Sequence, residues 1–165
     1  VSLRMPQMDA QGHVTLVERQ LEVNLPKGIR PGQHLRLAGQ GAAGHGGAPA
    51  GDLYLEIEFA PHPHFSVDGR DVYVELPVAP WEAALGASVT LPTPDGSVQL
   101  TVPPGSAAGR KLRLRGKGLP CTPPGDLYAV LAIVLPPAES AGAEKAWREL
   151  AQTFGDFNPR RALET

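Results

Sequence analysis

The sequence predicts an all-β fold closed by one C-terminal helix, and three observations predict it. Short apolar–polar alternations are broken by glycine and proline, 19 and 18 of them in 165 residues, which means many turns for so short a chain. One order of turns and strands is written twice, so the chain reads as two copies of a single β unit. Near the end, residues 142–154 carry Ala146, Trp147, Leu150 and Phe154 at helical spacing, giving one apolar face.

The repeat is legible residue by residue. Leu25-Pro26-Lys27-Gly28 is answered by Val102-Pro103-Pro104-Gly105. The register holds through Gly32 and Gly109, then Leu35-Arg36-Leu37 and Leu112-Arg113-Leu114, then Gly39 and Gly41 against Gly116 and Gly118. Gly51-Asp52-Leu53-Tyr54 answers Gly125-Asp126-Leu127-Tyr128 after a first tip loop three residues longer. Self-similarity over this length marks a repeated structural unit.

In chain order, the first copy predicts strands at 14–25, 33–38 and 52–60, and the second at 71–77, 87–92, 97–103, 110–115 and 126–135. Pro94-Asp95-Gly96 predicts a hairpin turn between two of these. Pro80-Trp81-Glu82-Ala83-Ala84-Leu85-Gly86 predicts a short helix, with proline in its first turn and glycine just past its end. At the start, Val1-Ser2-Leu3-x-x-Pro6 mirrors Val89-Thr90-Leu91-x-x-Pro94. The second copy has a strand and helix before that point, residues 71–86, so the first unit is expected to have lost its opening strand and helix, and the chain to be a fragment.

The totals narrow the function. Two units of about 80 residues each bury only a modest core. A net charge of −2 makes the molecule no polycation, so any nucleic-acid contact falls to a local patch. One cysteine, Cys121, cannot form an intramolecular disulfide, fits a reducing compartment and cannot build a cysteine zinc site. No apolar run approaches the roughly 20 residues needed to span a bilayer, so no membrane is expected as a partner.

Most motif-like features resolve into structure. Gly39-Gln40-Gly41-Ala42-Ala43-Gly44 matches a dinucleotide fingerprint, but His45-Gly46-Gly47-Ala48-Pro49 cannot start the helix that would receive a pyrophosphate, so the stretch reads as a hairpin tip. Of the five histidines, His13, His34, His45, His62 and His64, the last two share a strand face without a third ligand at matching spacing. They read as a surface segment stiffened by Pro61 and Pro63. No serine or cysteine is paired with a base, so no enzyme activity, metal or cofactor is expected. Asp52 and Asp126, repeated after glycine at a strand entrance, read as structural acceptors of backbone N–H groups.

Two features keep functional meaning. Arg110-Lys111-Leu112-Arg113-Leu114-Arg115-Gly116-Lys117 holds five cations, with no acidic residue between Gly96 and Gly125. On a strand, Lys111, Arg113 and Arg115 share one face and could follow phosphates; the other reading is a solvated face that resists edge pairing. No aromatic residue interleaves with them. The second feature is apolar: Val1 and Leu3 share a face, as do Leu53, Leu55 and Ile57, and a small unit cannot cover both faces of its sheet.

These pieces together resemble a known family. LPKGIRPGQHLRLAGQG, GDLYLEIEFAPHPHF, GRDVYVELPVAPWEAALGASVTLPTPDG, PPGSAAGRKLRLRGKG and GDLYAVL are similar to the C-terminal region of DnaJ-type co-chaperones. The resemblance runs to Phe157-Asn158-Pro159-Arg160. No CxxCxGxG repeat is present, so the chain resembles members without a zinc domain, and within these the bacterial branch that binds curved DNA. The resemblance implies two tandem small β-sandwich subdomains of the DnaJ C-terminal type, residues 1–64 and 65–140, then a dimerisation helix and tail, 141–165.

It further implies that Val1, Leu3 and Leu55, with Ile57 beside them, hold unfolded polypeptide clients in a shallow groove. Trp147, Leu150 and Phe154 would carry a homodimer. Clients would pass to a DnaK-type chaperone through parts outside this stretch, since His62-Pro63-His64 is not the family's His-Pro-Asp motif. The alternative function is sequence-independent binding of DNA through Lys111, Arg113 and Arg115. The implied location is the cytoplasm, at the nucleoid if DNA is bound.

Overall fold

The computed structural model describes residues 1–8, 13–44 and 48–163. Their strands are β1 (Ser2–Met8), β2 (Val14–Gln20), β3 (His34–Leu37), β4 (Leu53–Glu56), β5 (Phe65–Asp68), β6 (Asp71–Val78), β7 (Ala87–Thr93), β8 (Gly96–Val102), β9 (Lys111–Leu114) and β10 (Leu127–Ile133). Helix α1 (Pro80–Leu85) follows β6, and α2 (Ala141–Thr153) follows β10, with a short 3-10 turn at Arg161–Leu163. The fold is all-β with a C-terminal helix.

Three antiparallel hairpins stand as two-stranded sheets: β1–β2, β3–β4 and β7–β8. The fourth sheet has the order β5-β6-β10-β9, with β6 and β10 parallel. Along β6, Val72, Val74, Leu76 and Val78 turn inward, while Tyr73, Glu75 and Pro77 turn outward, the period of two that a pleated strand imposes. The inward residues meet Leu127, Ala129 and Leu131 of β10, Leu91 and Val102 of the β7–β8 hairpin, and Ala83 of α1 in one core.

The repeat survives down to single hydrogen bonds. Gly32 N–H donates to the Ile57 carbonyl at 2.8 Å, and Gly109 N–H to that of Leu131 at 2.8 Å. Ile57 N–H donates to Gln33 at 2.9 Å, and Leu131 N–H to Arg110 at 2.9 Å. Gly41 N–H reaches Gly51 at 2.7 Å, and Gly118 N–H reaches Gly125 at 2.9 Å. The copies part company in their strand pairing. In the second repeat β10 has β9 on one edge and β6 on the other; in the first, β4 pairs only with β3 among the described residues. Accordingly, no described side chain of residues 1–64 is fully buried.

The short elements follow their chemistry. Pro80 opens α1, the Glu82 carboxylate accepts from Ala79 N–H at 2.8 Å, and Gly86 leaves the helix with φ 81°. Thr93 pairs with Gly96 across Pro94-Asp95, as the turn residues predict. The 14–25 expectation shortens to β2, whose ladder ends at Gln20 opposite Ser2, the first residue of β1. Strand β5 was hidden by the prolines before it, and nothing in the alternation revealed that β6 and β10 run parallel.

Candidate functional site

The apolar residues of the first repeat lie on two hairpins. Leu3 is on β1, opposite Arg19 of β2; Leu55 is on β4, opposite Leu35. Arg19 links the two sheets, its guanidinium donating to Gln40 Oε1 at 2.6 Å at the tip beyond β3. Leu3, Leu55 and Ile57 are half-buried and Val1 is 60% exposed, its ammonium donating to the Leu21 carbonyl at 2.7 Å. No ladder joins β1 to β4.

Each repeat carries the same clasp at its hairpin base. Arg36 Nε donates to Asp52 Oδ2 at 2.6 Å, while Gly39 N–H donates to Oδ1 at 2.9 Å. In the second repeat Arg113 Nε donates to Asp126 Oδ2 at 2.6 Å and Gly116 N–H to Oδ1 at 2.7 Å. Both aspartates therefore do what their repeated position implied: they accept backbone N–H groups and fix the glycine tip. The Gly39 N–H first, then Arg36, holds the Asp52 carboxyl below the ordinary aspartate range. The Gly116 N–H, then Arg113, lowers that of Asp126. The Asp126 carboxylate in turn raises the Arg113 guanidinium, which stays charged throughout and adds no acid-range dependence.

The sign of the linkage is fixed by those directions. A lowered folded-state value means stability that is fully present above the unfolded aspartate value of about 3.9, and that disappears as pH falls through the folded values. Melting temperature is expected to fall below about pH 4, and to fall less steeply in the Asp52→Asn, Asp126→Asn double variant. Parallel slopes for the two proteins in thermal melts across that range would remove the clasps from the account.

The basic segment is differently placed from a simple strand face. β9 ends at Leu114, so Arg115 and Lys117 belong to the turn beyond it. Lys111 Nζ sits 5.1 Å from the Tyr73 ring centroid, and Tyr73 stacks on Tyr128 with centroids 5.2 Å apart. The aromatics absent from the local sequence are thus supplied by β6 and β10. Arg113 is occupied by Asp126.

A shallow depression of about 360 Å³ borders this face, lined by His62, Pro63, His64, Phe65, Ser66, Tyr73, Val74, Glu75 and Val130. His62 Nδ1 accepts from His64 N–H at 3.1 Å and Phe65 N–H at 3.2 Å, so it caps the entry into β5. Among the described residues no three His, Cys, Asp or Glu side chains gather as a metal site would need, and no helix is long and apolar enough to cross a membrane. His45 lies outside the described residues. The Gly39–Gly44 stretch falls in the connection between the paired strands β3 and β4.

Helix α2 carries the last candidates. The Ser140 hydroxyl caps it, accepting from Ala143 N–H at 3.1 Å. Ion pairs Arg148–Glu144 and Lys145–Glu149 line its polar side. Trp147 is half-buried, Leu150 is 45% exposed and Phe154 59%, and no residue of the helix is buried.

Residues 5–136, which include both clasps and the whole four-stranded sheet, match the DnaJ C terminal domain family. The chain belongs to the DnaJ C-terminal family. It is 51% identical over 164 residues to a curved DNA-binding protein of Coxiella burnetii, covering 99% of this chain and 52% of that protein. It is 47% identical over 163 residues to a curved DNA-binding protein of Escherichia coli, covering 98% of this chain and 53% of that protein. The chain thus spans about half the length of the curated relatives it matches. The family read from the DLY and PWEAALG stretches is the family found, and its C-terminal fold accounts for the many small sheets.

Proposed function

We propose that this DnaJ C-terminal chain holds unfolded polypeptide on the apolar positions of its first repeat and pairs with a second copy through α2. One observation carries the reading. Leu3, Leu55 and Ile57 are half-buried, whereas their repeat counterparts Leu91, Ala129 and Leu131 are 1%, 0% and 2% exposed. Apolar positions that the second repeat closes into a core stay open in the first. An extended client offers both main-chain groups and alternate apolar side chains to such a surface. Joining two weak surfaces in a dimer raises the effective concentration for the second contact. In the whole protein such clients would pass to a DnaK-type chaperone.

The test is anisotropy of a labelled, extended apolar peptide titrated with the chain at low and high salt. Binding that changes little with salt is expected, together with protection of a heat-denatured client from aggregation. Leu55→Asp should abolish both while the second repeat keeps its melting transition. Equal protection by the variant would sink the apolar surface.

A second reading is favoured by the basic segment and by the names of the relatives, curved DNA-binding proteins: contact with DNA, indifferent to sequence. Five cations without an intervening carboxylate supply a local positive patch on a chain of net charge −2. Its binding would weaken steeply with salt, unlike that of an apolar client. Both readings suit a cytoplasmic protein, and the second places it at the nucleoid.

A further inference from the structure

We propose that the phosphate-contacting surface is the end of the β5-β6-β10-β9 sheet, formed by Arg70, Arg115 and Lys117, while Lys111 and Arg113 serve the fold. The proposal rests on the DNA reading and assigns its residues. Arg113 already donates to the Asp126 carboxylate, whose negative charge offsets the guanidinium and would repel an approaching phosphate. Lys111 is drawn across β10 onto the Tyr73 ring. Arg115 and Lys117 are exposed, and neither side chain has a hydrogen bond or ion pair among the described residues.

Arg70 joins them from 45 residues upstream, where no reading of the local sequence would look for a partner. It lies in the two-residue turn between β5 and β6, since Asp68 pairs with Asp71. Its carbonyl accepts from Leu119 N–H at 2.9 Å, which pins the turn to the loop that follows Lys117. Its side chain is exposed and has no hydrogen bond or ion pair among the described residues. The neighbouring carboxylates are accounted for. Asp126 accepts from Arg113 and Gly116 and also feels the charge of Arg115 nearby; Asp71 Oδ1 accepts from Asp126 N–H at 2.8 Å; Asp68 remains as an exposed counter-charge. Three exposed cations at one end of the sheet, none with a side-chain hydrogen bond or ion pair among the described residues, suit the phosphodiester backbone of a duplex and read no sequence.

The experiment is anisotropy of a short labelled duplex titrated with the chain at several salt concentrations. Each phosphate contact contributes about 0.9 to the slope of log K against log salt. The Arg70→Gln, Arg115→Gln, Lys117→Gln variant should lose about 2 to 3 from that slope. Lys111→Gln with Arg113→Gln should lower the melting temperature and change the slope by less than about 1, and Asp68→Asn should tighten binding. A wild-type slope kept by the triple variant, or lost in the Lys111, Arg113 variant, overturns the assignment. Absence of salt-dependent duplex binding by the wild-type chain overturns the DNA reading itself.

Discussion

Gly125→Ala is expected to destabilise the chain by about 3 kcal/mol or more, whereas Gly51→Ala, at the same position of the first repeat, costs less than about 0.5. A methyl on Gly125 would stand 1.8 Å from the Arg70 carbonyl oxygen and 2.5 Å from its carbon. That carbonyl also accepts from Leu119 N–H and belongs to the β5–β6 turn, so it cannot yield without disturbing the turn. At Gly51 the nearest atom would be the Ala42 carbonyl oxygen at 3.9 Å, an ordinary contact. Neither glycine has a positive φ, so the difference is one of space alone. Thermal melts check it: a drop of roughly 10 °C for Gly125→Ala against little change for Gly51→Ala. Equal melting temperatures would mean that the β5–β6 turn does not press on the 118–126 loop.

Trp147→Ala with Leu150→Ala is expected to raise the dissociation constant of the proposed dimer at least about 1000-fold. Buried aromatic and aliphatic anchors at such an interface contribute about 2 kcal/mol or more apiece. The substitutions should spare the helix, because alanine is a good helix former and the Ser140 cap and the two polar-side ion pairs stay in place. Leu150 and Phe154 stand open on a helix with no buried residue, which leaves their apolar area uncovered within a single chain. Sedimentation velocity with circular dichroism decides it. A monomer of unchanged helicity is the expected result, and an unchanged dimer would put the interface elsewhere.

Much of the fold was legible because it is local. Pro80 and Gly86 bracket α1, Pro94-Asp95-Gly96 turns a hairpin, and α2 begins and ends within one residue of the span its apolar spacing marks. Each of these is set by backbone preferences within a few residues. The clasp aspartates were legible for another reason: a residue kept in both copies of a repeat answers to the fold. What escaped notice was lateral. Strand β5, only four residues long, and the parallel β6–β10 pairing depend on which strands become neighbours, and alternation is silent about that.

The same limit governs the basic segment. Spacing places Lys111, Arg113 and Arg115 on one face if the strand continues; β9 stops at Leu114, and cross-strand neighbours then engage the first two. Tyr73 and Arg70 reach this surface from β6 and its turn, through contacts that no window of sequence contains.

By itself, then, the sequence determined that this protein is one β unit written twice with an apolar helix after it, and to which family it belongs. Turn chemistry, side-chain period and internal repetition are all properties of short stretches. The sequence already placed a strand and a helix, residues 71–86, ahead of the second copy's hairpin; only the tertiary structure decided what they bury. β6 and α1 close the second copy's apolar positions into a core, and the matching positions of the first copy remain half-open. Burial depends on what lies across a strand, so identical patterns become a core in one repeat and a surface in the other.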